Sequence, residues 1–458
     1  MEQIDLMQKI VSLAKRRGFI YQGSEIYGGL AGTYDYGPLG SLLKNNIKNS
    51  WISKFVMGRE DMYLVDAAIL MNQKVWQTTG HVDHFSDPLV EDVKTKKRYR
   101  ADNLIQDNGF SPEGLSISQM TDFIKEKGIK SPDGNALGEV RQFNMMLSTK
   151  VGASEDSAAT SYLRPETAQG IFVNFKNVVD SMSPKMPFGI AQIGKAFRNE
   201  ITPRDFIFRL RELEQMEIEY FVKPEDWSKH FEYWKDEMME WMESIGLDMK
   251  KIHDVEIPDG DRAHYSSRTI DFEFEYPFGQ KELYGLAYRG DYDLSRHASS
   301  SGEKMQYVQQ LENGTEVFTP HVIEPTFGLD RTVLAILLSA YREEKTGEDT
   351  RVYLKLDPKI APYKICVSPL LKNKPELVSK AREIYGHLKS EFGAVVFDDN
   401  GNIGKRYRKQ DEIGTPFCVV ADFESLEDEA VTVRLRDTGG QERIKIKDLT
   451  SYFKEKLL

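Results

Sequence analysis

Apolar residues recur at helical spacing in two stretches near the start of the chain, 4–17 and 40–57. In the second, Leu42, Leu43, Ile47, Trp51 and Phe55 share a face. Between them lies GGLAGTYDYGPLG (28–40), too glycine-rich for either regular element. Alternation then predicts strands over 61–70, 188–200, 208–221 and 269–276, with helices over 225–245 and 328–343. Residues from about 86 to 141 are rich in Lys, Asp, Gly and Ser and read as an inserted subdomain. The segment KTGEDTRVYLKLDPKIAP (345–362) is polar, carries two prolines and reads as a linker. Beyond it the pattern predicts strand 363–368, helix 375–391, strand 394–397 and helix 405–412. Strands 417–421, 430–435 and 442–446 and helix 447–457 complete a small α/β domain.

The two central strands carry a second pattern. Gln192, Arg198 and Glu200 fall on one face of 188–200, with Ile193 and Phe197 opposite. In 208–221, Arg209, Arg211, Gln215 and Glu217 share a face, opposite Leu210, Met216, Ile218 and Tyr220. An antiparallel sheet with one packed and one polar face fits this pattern. Salt bridges across a solvated face are the ordinary explanation. Arginine on both strands adds something more specific: a rigid cationic fork where an anion, phosphate above all, can sit.

Composition narrows the class. A chain of 458 residues with 40% hydrophobic and 29% charged residues fits a folded protein of two or three domains. No apolar run suffices to cross a bilayer, and 4–17 lacks the features of a signal or transit peptide, so a cytoplasmic protein without a membrane partner is expected. Two cysteines, Cys366 and Cys418, allow neither a disulfide framework nor a cysteine-rich zinc site. A net charge of −11 opposes indiscriminate nucleic-acid binding and leaves room for a local basic surface.

FRNE (197–200), a short loop and RxRE (209–212) resemble motif 2 of the class II aminoacyl-tRNA synthetases; IEPTFGLDRTVLAIL (323–337) resembles their motif 3. YDYGPLG, TGHVDHFSDPLV, LRPETAQGIF, EYPFG and VIEPTFGLDR together resemble the homodimeric glycyl-tRNA synthetase family. The resemblance implies an α+β fold: an antiparallel sheet flanked by helices in a catalytic domain over 1–350, interrupted at about 86–141. An anticodon-binding α/β domain over 361–458 would follow. It implies an enzyme that joins glycine to the α-phosphate of ATP, with Mg²⁺ as cofactor, and passes the glycyl group to tRNA(Gly). Such chemistry needs positioning and charge stabilisation rather than a nucleophilic side chain. His81 and His84 are accordingly read as structural polar contacts.

By the same resemblance Arg198, Glu200 and Arg331 are the catalytic set, with Asn199, Phe208, Arg209, Arg211, Leu213, Leu283, Gly328 and Asp330 completing the ATP site and Glu282 holding the metal. Glycine falls to Arg100, Glu166, Leu213, Gln215, Glu217, Glu324, Thr326 and Gly328. Glu212 and Glu214 face the other way and are read as structural. The chain departs from its family in four places. Leu213 stands where relatives carry a phenylalanine that stacks on adenine, and Thr326 where many carry serine. VKTKKR (93–98) and SPDGN (131–135) replace the paired cysteines of a zinc ribbon, so no structural zinc is expected. AILMNQKV lacks a motif 1 proline, although the intact helix 40–57 still implies a homodimer. The basic run GKRYRKQDEIG (404–414) is the expected RNA contact of the last domain. A silent relative is disfavoured by the presence of Arg198, Glu200 and Arg331. A ligase that works without tRNA is disfavoured by the C-terminal domain.

Overall fold

The opening helical periodicities become α1 (Glu2–Arg17) and α2 (Pro38–Ile52) in a computed structural model that describes residues 2–457 apart from 113, 153–159, 264 and 348. Proline suits the first turn of α2, where an N–H has no partner to lose. The helix passes into a π-helical turn over Ser53–Met57, which keeps Trp51 and Phe55 in the core.

Seven strands form the main sheet: β1 (Met62–Val65), β2 (Phe188–Phe197), β3 (Glu212–Val222), β4 (Ile252–Glu256), β5 (Arg268–Tyr276), β6 (Gly279–Gly290) and β7 (His321–Gly328). Their spatial order is β4-β5-β6-β7-β3-β2-β1, antiparallel throughout except for the parallel edge pair β1–β2. One face presents Met216, Ile218, Phe272, Phe274, Leu286, Ile323 and Phe327 to a core shared with α2, α3 (Trp227–Ser244) and α4 (Leu329–Ala340). The opposite face carries Gln192, Gln215, Glu217 and Glu324.

Several expectations change here. The strand over 61–70 shrinks to the four residues of β1, and Leu70 makes only an isolated bridge to Leu163. β2 stops at Phe197 and β3 starts at Glu212, so Arg198, Arg209 and Arg211 stand on the neck of the connecting loop. That neck is closed by the Arg198 N–H, which donates to the Arg211 carbonyl at 2.9 Å; Asp205 and Phe206 turn the loop with φ of 63° and 59°. β4, β6 and β7 have no counterpart in the sequence reading. β7 is buried on both faces, which erases the two-residue period. The expected linker is a hairpin instead, β8 (Tyr341–Thr346) with β9 (Asp349–Leu354).

The C-terminal part holds a second sheet in the order β11-β10-β12-β13-β14: β10 (Ile365–Pro369), β11 (Val395–Phe397), β12 (Phe417–Ala421), β13 (Ala430–Leu435) and β14 (Gln441–Lys445). α5 (Pro375–Phe392) and α7 (Leu449–Leu457) cover one face with a separate apolar core; α6 (Ile403–Ile413) packs on β9. Asp411 of α6 accepts the Arg351 guanidinium of β9 at 2.9 Å, Glu412 pairs with Arg16 and Arg17 of α1, and Ile413 joins the main core. The basic run is therefore divided. Lys405, Arg408 and Lys409 are exposed, whereas Arg406 is buried and donates to the Pro369 and Gly401 carbonyls.

The inserted segment has its own small core and a sheet of Ser86–Glu91, Arg98–Arg100 and Arg141–Asn144. At its tip the Asp92 carboxylate accepts the Lys94 and Thr95 N–H groups, the Ser131 hydroxyl at 2.6 Å and the Asn135 amide at 3.0 Å. Burial disfavours this charge, but the four donors hold the carboxyl far below its ordinary range. A hydrogen-bonded carboxylate thus fastens together the two cysteine-free loops, 93–98 and 131–135.

Candidate active site

Two cavities of about 90 and 420 Å³ open on the polar face of the main sheet, and Arg198, Gln215, Glu282 and Thr326 line both. The smaller joins cations to apolar walls: Arg198, Arg209 and Arg331 with Phe208, Leu213 and Leu283. Arg331 is in the first turn of α4, its guanidinium 4.4 Å from the Phe208 ring centre and 3.1 Å from the Glu282 carboxylate. Gly328 precedes it as the last residue of β7. Arg209 approaches Glu200 at 3.8 Å. This set can hold a flat base against Leu213 and a polyphosphate between the arginines.

Three other residues expected here have protein partners. Arg211 donates to the Glu200 and Ala31 carbonyls and so braces the loop. Asp330 accepts from Tyr36, Lys44 and the Glu214 N–H, which ties α4 to α2 and to the back of β3. The Asn199 N–H binds the Met145 carbonyl at the root of the insertion. Glu214 pairs with Lys44 and Lys48, and Glu212 with Lys195; Glu212 lines neither cavity, whereas Glu214 still borders the smaller one.

The larger cavity ends in carboxylates. Glu166 lies in a loop held by Arg164, which donates to the Lys195 and Ala67 carbonyls; the Pro165 carbonyl accepts from Arg198. A Cβ at Gly194 would lie 2.1 Å from the Arg164 guanidinium, so a larger residue there would push this buried brace aside. Burial works against the Glu166 charge, but His81 at 3.3 Å, Arg289 and the Gln169 amide together outweigh it and hold the carboxyl low. His81 also meets Thr79 at 2.7 Å, a structural contact as expected; the His84 side chain lies outside the described residues. Glu217 accepts the Thr167 and Thr326 hydroxyls, yet burial and then Glu166 raise its carboxyl. Burial lifts Glu324 to about 8, with Glu217 and Glu166 adding to it against the Arg289 guanidinium at 2.8 Å. Arg100 lies in the insertion, paired with Asp87 and Asp102 and close enough to Glu200 and Arg209 for their charges to interact.

Sequence reasoning missed Arg289, Asp293, Glu219 and Asp271. Arg289 is fully buried, donates to Asp293 at 2.8 Å and lies 3.8 Å over the Tyr265 ring. Its signal is an Arg and an Asp four residues apart in YRGDYD, Arg289 near the end of β6, which periodicity does not reveal, and Asp293 in the first turn of the helix Tyr292–Ser301. Asp271, in β5, is raised to about 7 by burial and by Glu282 and Glu273. A pair of carboxylates that resist joint ionisation fits a hard divalent cation with oxygen ligands.

The sheet, its motif loops and the paired cavities define a class II aminoacyl-tRNA synthetase. The tRNA synthetase class II core domain (G, H, P, S and T) matches residues 150–340, and the anticodon binding domain matches 364–456. A solved prolyl-tRNA synthetase of Cryptosporidium parvum shares the fold, with a TM-score of 0.65 at 15% identity over 98% of this chain and 74% of that one. The chain belongs to the glycine–tRNA ligase family. It is 50% identical to the glycine–tRNA ligase of Alkaliphilus oremlandii over 98% of each chain. It is 48% identical to that of Bacillus cereus over 98% of this chain and 99% of the relative.

Proposed function

We propose that the two cavities are the two halves of one ligation site, for ATP and for glycine, and that the chain loads glycine onto tRNA(Gly) through a glycyl-adenylate. The supporting observation is their shared wall. Arg198, Gln215, Glu282 and Thr326 face both cavities, where a carboxylate and an α-phosphate have to meet. Arg198 then neutralises charge that builds on the α-phosphorus, Glu200 accepts the adenine amino group, and Arg331 covers the base. Glu166, Glu217 and Glu324 hold the ammonium group, while Thr326 narrows the place where a Cβ would go. Glu282, with Asp271, is the Mg²⁺ site; the ion supplies charge neutralisation to the phosphates.

The catalytic unit spans 1–350 and the tRNA-reading unit 361–458. A homodimer in the cytoplasm fits the exposed Met57, Leu64 and Leu70 beside the edge strand β1. Among the described residues no helix is long and apolar enough to cross a membrane. ATP–pyrophosphate exchange with each of the twenty amino acids tests the reading. Glycine alone should drive it; a larger signal with threonine or proline overturns the assignment.

A further inference from the structure

Glu219 has no role in the account above. It lies in β3 two residues beyond Glu217, on the same face, and is fully buried. Neither of its carboxylate oxygens has a hydrogen-bond partner. One oxygen each from Glu217, Glu219 and Glu324 lie within 4.8 Å of one another. A point within about 2.8 Å of all three oxygens therefore exists, the reach of a charge-assisted N–H···O bond.

We propose that Glu219 completes, with Glu217 and Glu324, a three-carboxyl seat for the ammonium group of the amino acid, and that seating the ammonium displaces a proton from the cluster. This rests on the ligation reading above. Three carboxylates so close in a buried site cannot all ionise without a cation between them. The charged groups around them do not supply it. Arg289 is shared among Asp293, Glu324 and Glu219; Glu166 meets the His81 ring at 3.3 Å; Tyr265 and His297 complete the surroundings. Burial and then Glu324 raise Glu219 well above its ordinary range, in keeping with a retained proton. An incoming ammonium brings a positive charge, the cluster ionises around it, and the proton leaves to solvent. A neutral amine gains nothing from this exchange.

The test measures the glycine KM in pyrophosphate exchange from pH 6 to 8 at saturating ATP, for the full-length enzyme and for Glu219→Gln. In the native enzyme KM should fall with rising pH, by roughly tenfold per unit where one proton is displaced. In Glu219→Gln it should be at least about tenfold higher near pH 8, with a flatter profile and an unchanged KM for ATP. A glutamine serves a purely structural role equally well, so native KM and slope in the variant overturn the proposal. A flat native profile overturns it even where the variant fails to fold. If another amino acid drives exchange, the glycine reading fails alone, and the pH slope is read with that amino acid.

Discussion

Two regions of the molecule bury charge and treat it in opposite ways. In the C-terminal unit Asp411 takes two hydrogen bonds from Arg434 and one from Arg351, and Arg436 donates to the Gly414 carbonyl. On the polar face of the main sheet Gln192, Glu200, Gln215 and Glu219 all keep buried polar atoms without partners, and carboxylates outnumber guanidiniums. A buried polar group left unsatisfied costs roughly 1–3 kcal/mol. A fold tolerates such a cost where a ligand repays it, and buried charges that are already paired have finished their work as structure.

The contrast can be broken most sharply at Arg198. Arg198→Ala should lower glycine-dependent exchange by about 10²–10³-fold, because it removes a preorganised charge at the developing phosphorane. Melting should change little, since its guanidinium makes one hydrogen bond to a carbonyl. Near-native exchange would mean that the shared wall is not where the reaction occurs.

Asp411→Ala should do the reverse. It strands Arg351 and Arg434 and should cost about 3–5 kcal/mol of stability, read by denaturant unfolding. Exchange per folded molecule should hold, and tRNA charging should fall. Equal losses in both half-reactions would erase the distinction between the two regions.

pH sharpens the same contrast. Glu219 and Glu324 have carboxyls raised in the folded state, so the folded protein holds protons that the unfolded chain releases near pH 4.5. Their contribution is fully present below that pH and is lost as pH rises through about 8 for Glu324. Melting temperature should therefore fall from pH 5 to 8, by about 2–4 °C for each kcal/mol, and glycine should restore more of it at the alkaline end. Asp422, held low mainly by Arg443 against burial, gives the opposite slope in acid. The smallest effect belongs to Leu213→Phe. An added aromatic contact of about 1 kcal/mol should lower the KM for ATP roughly fivefold. An unchanged KM would place the base elsewhere.

Legibility followed periodicity. α1, α3 and α5 were visible as apolar stripes, and β2 and β3 as alternation. β6 and β7 were hidden because strands covered on both faces lose their period, and with them went Arg289. The hairpin β8–β9 was hidden by its polarity: Arg351 and Tyr353 looked solvated and instead point at Asp411 and Glu344. Glu166, Glu217 and Glu324 were reached through family strings, which carry information that spacing alone does not. Glu219 was within view, one period beyond Glu217 on an alternating strand. Its lack of a hydrogen-bond partner is a fact of three dimensions only.

That hairpin has a consequence for how a long substrate is measured. A flexible tether lets a reading head search a sphere of positions. Here the head is clamped by Asp411 on β9, by Glu412 on α1 and by Ile413 in the main core. The span from the exposed face of α6 to the carboxylate pocket is then a fixed gauge, like the jaws of a calliper. On the proposal that α6 touches tRNA, a nucleic acid would have to match that opening at both ends, so overall shape would be judged together with the bases that are touched.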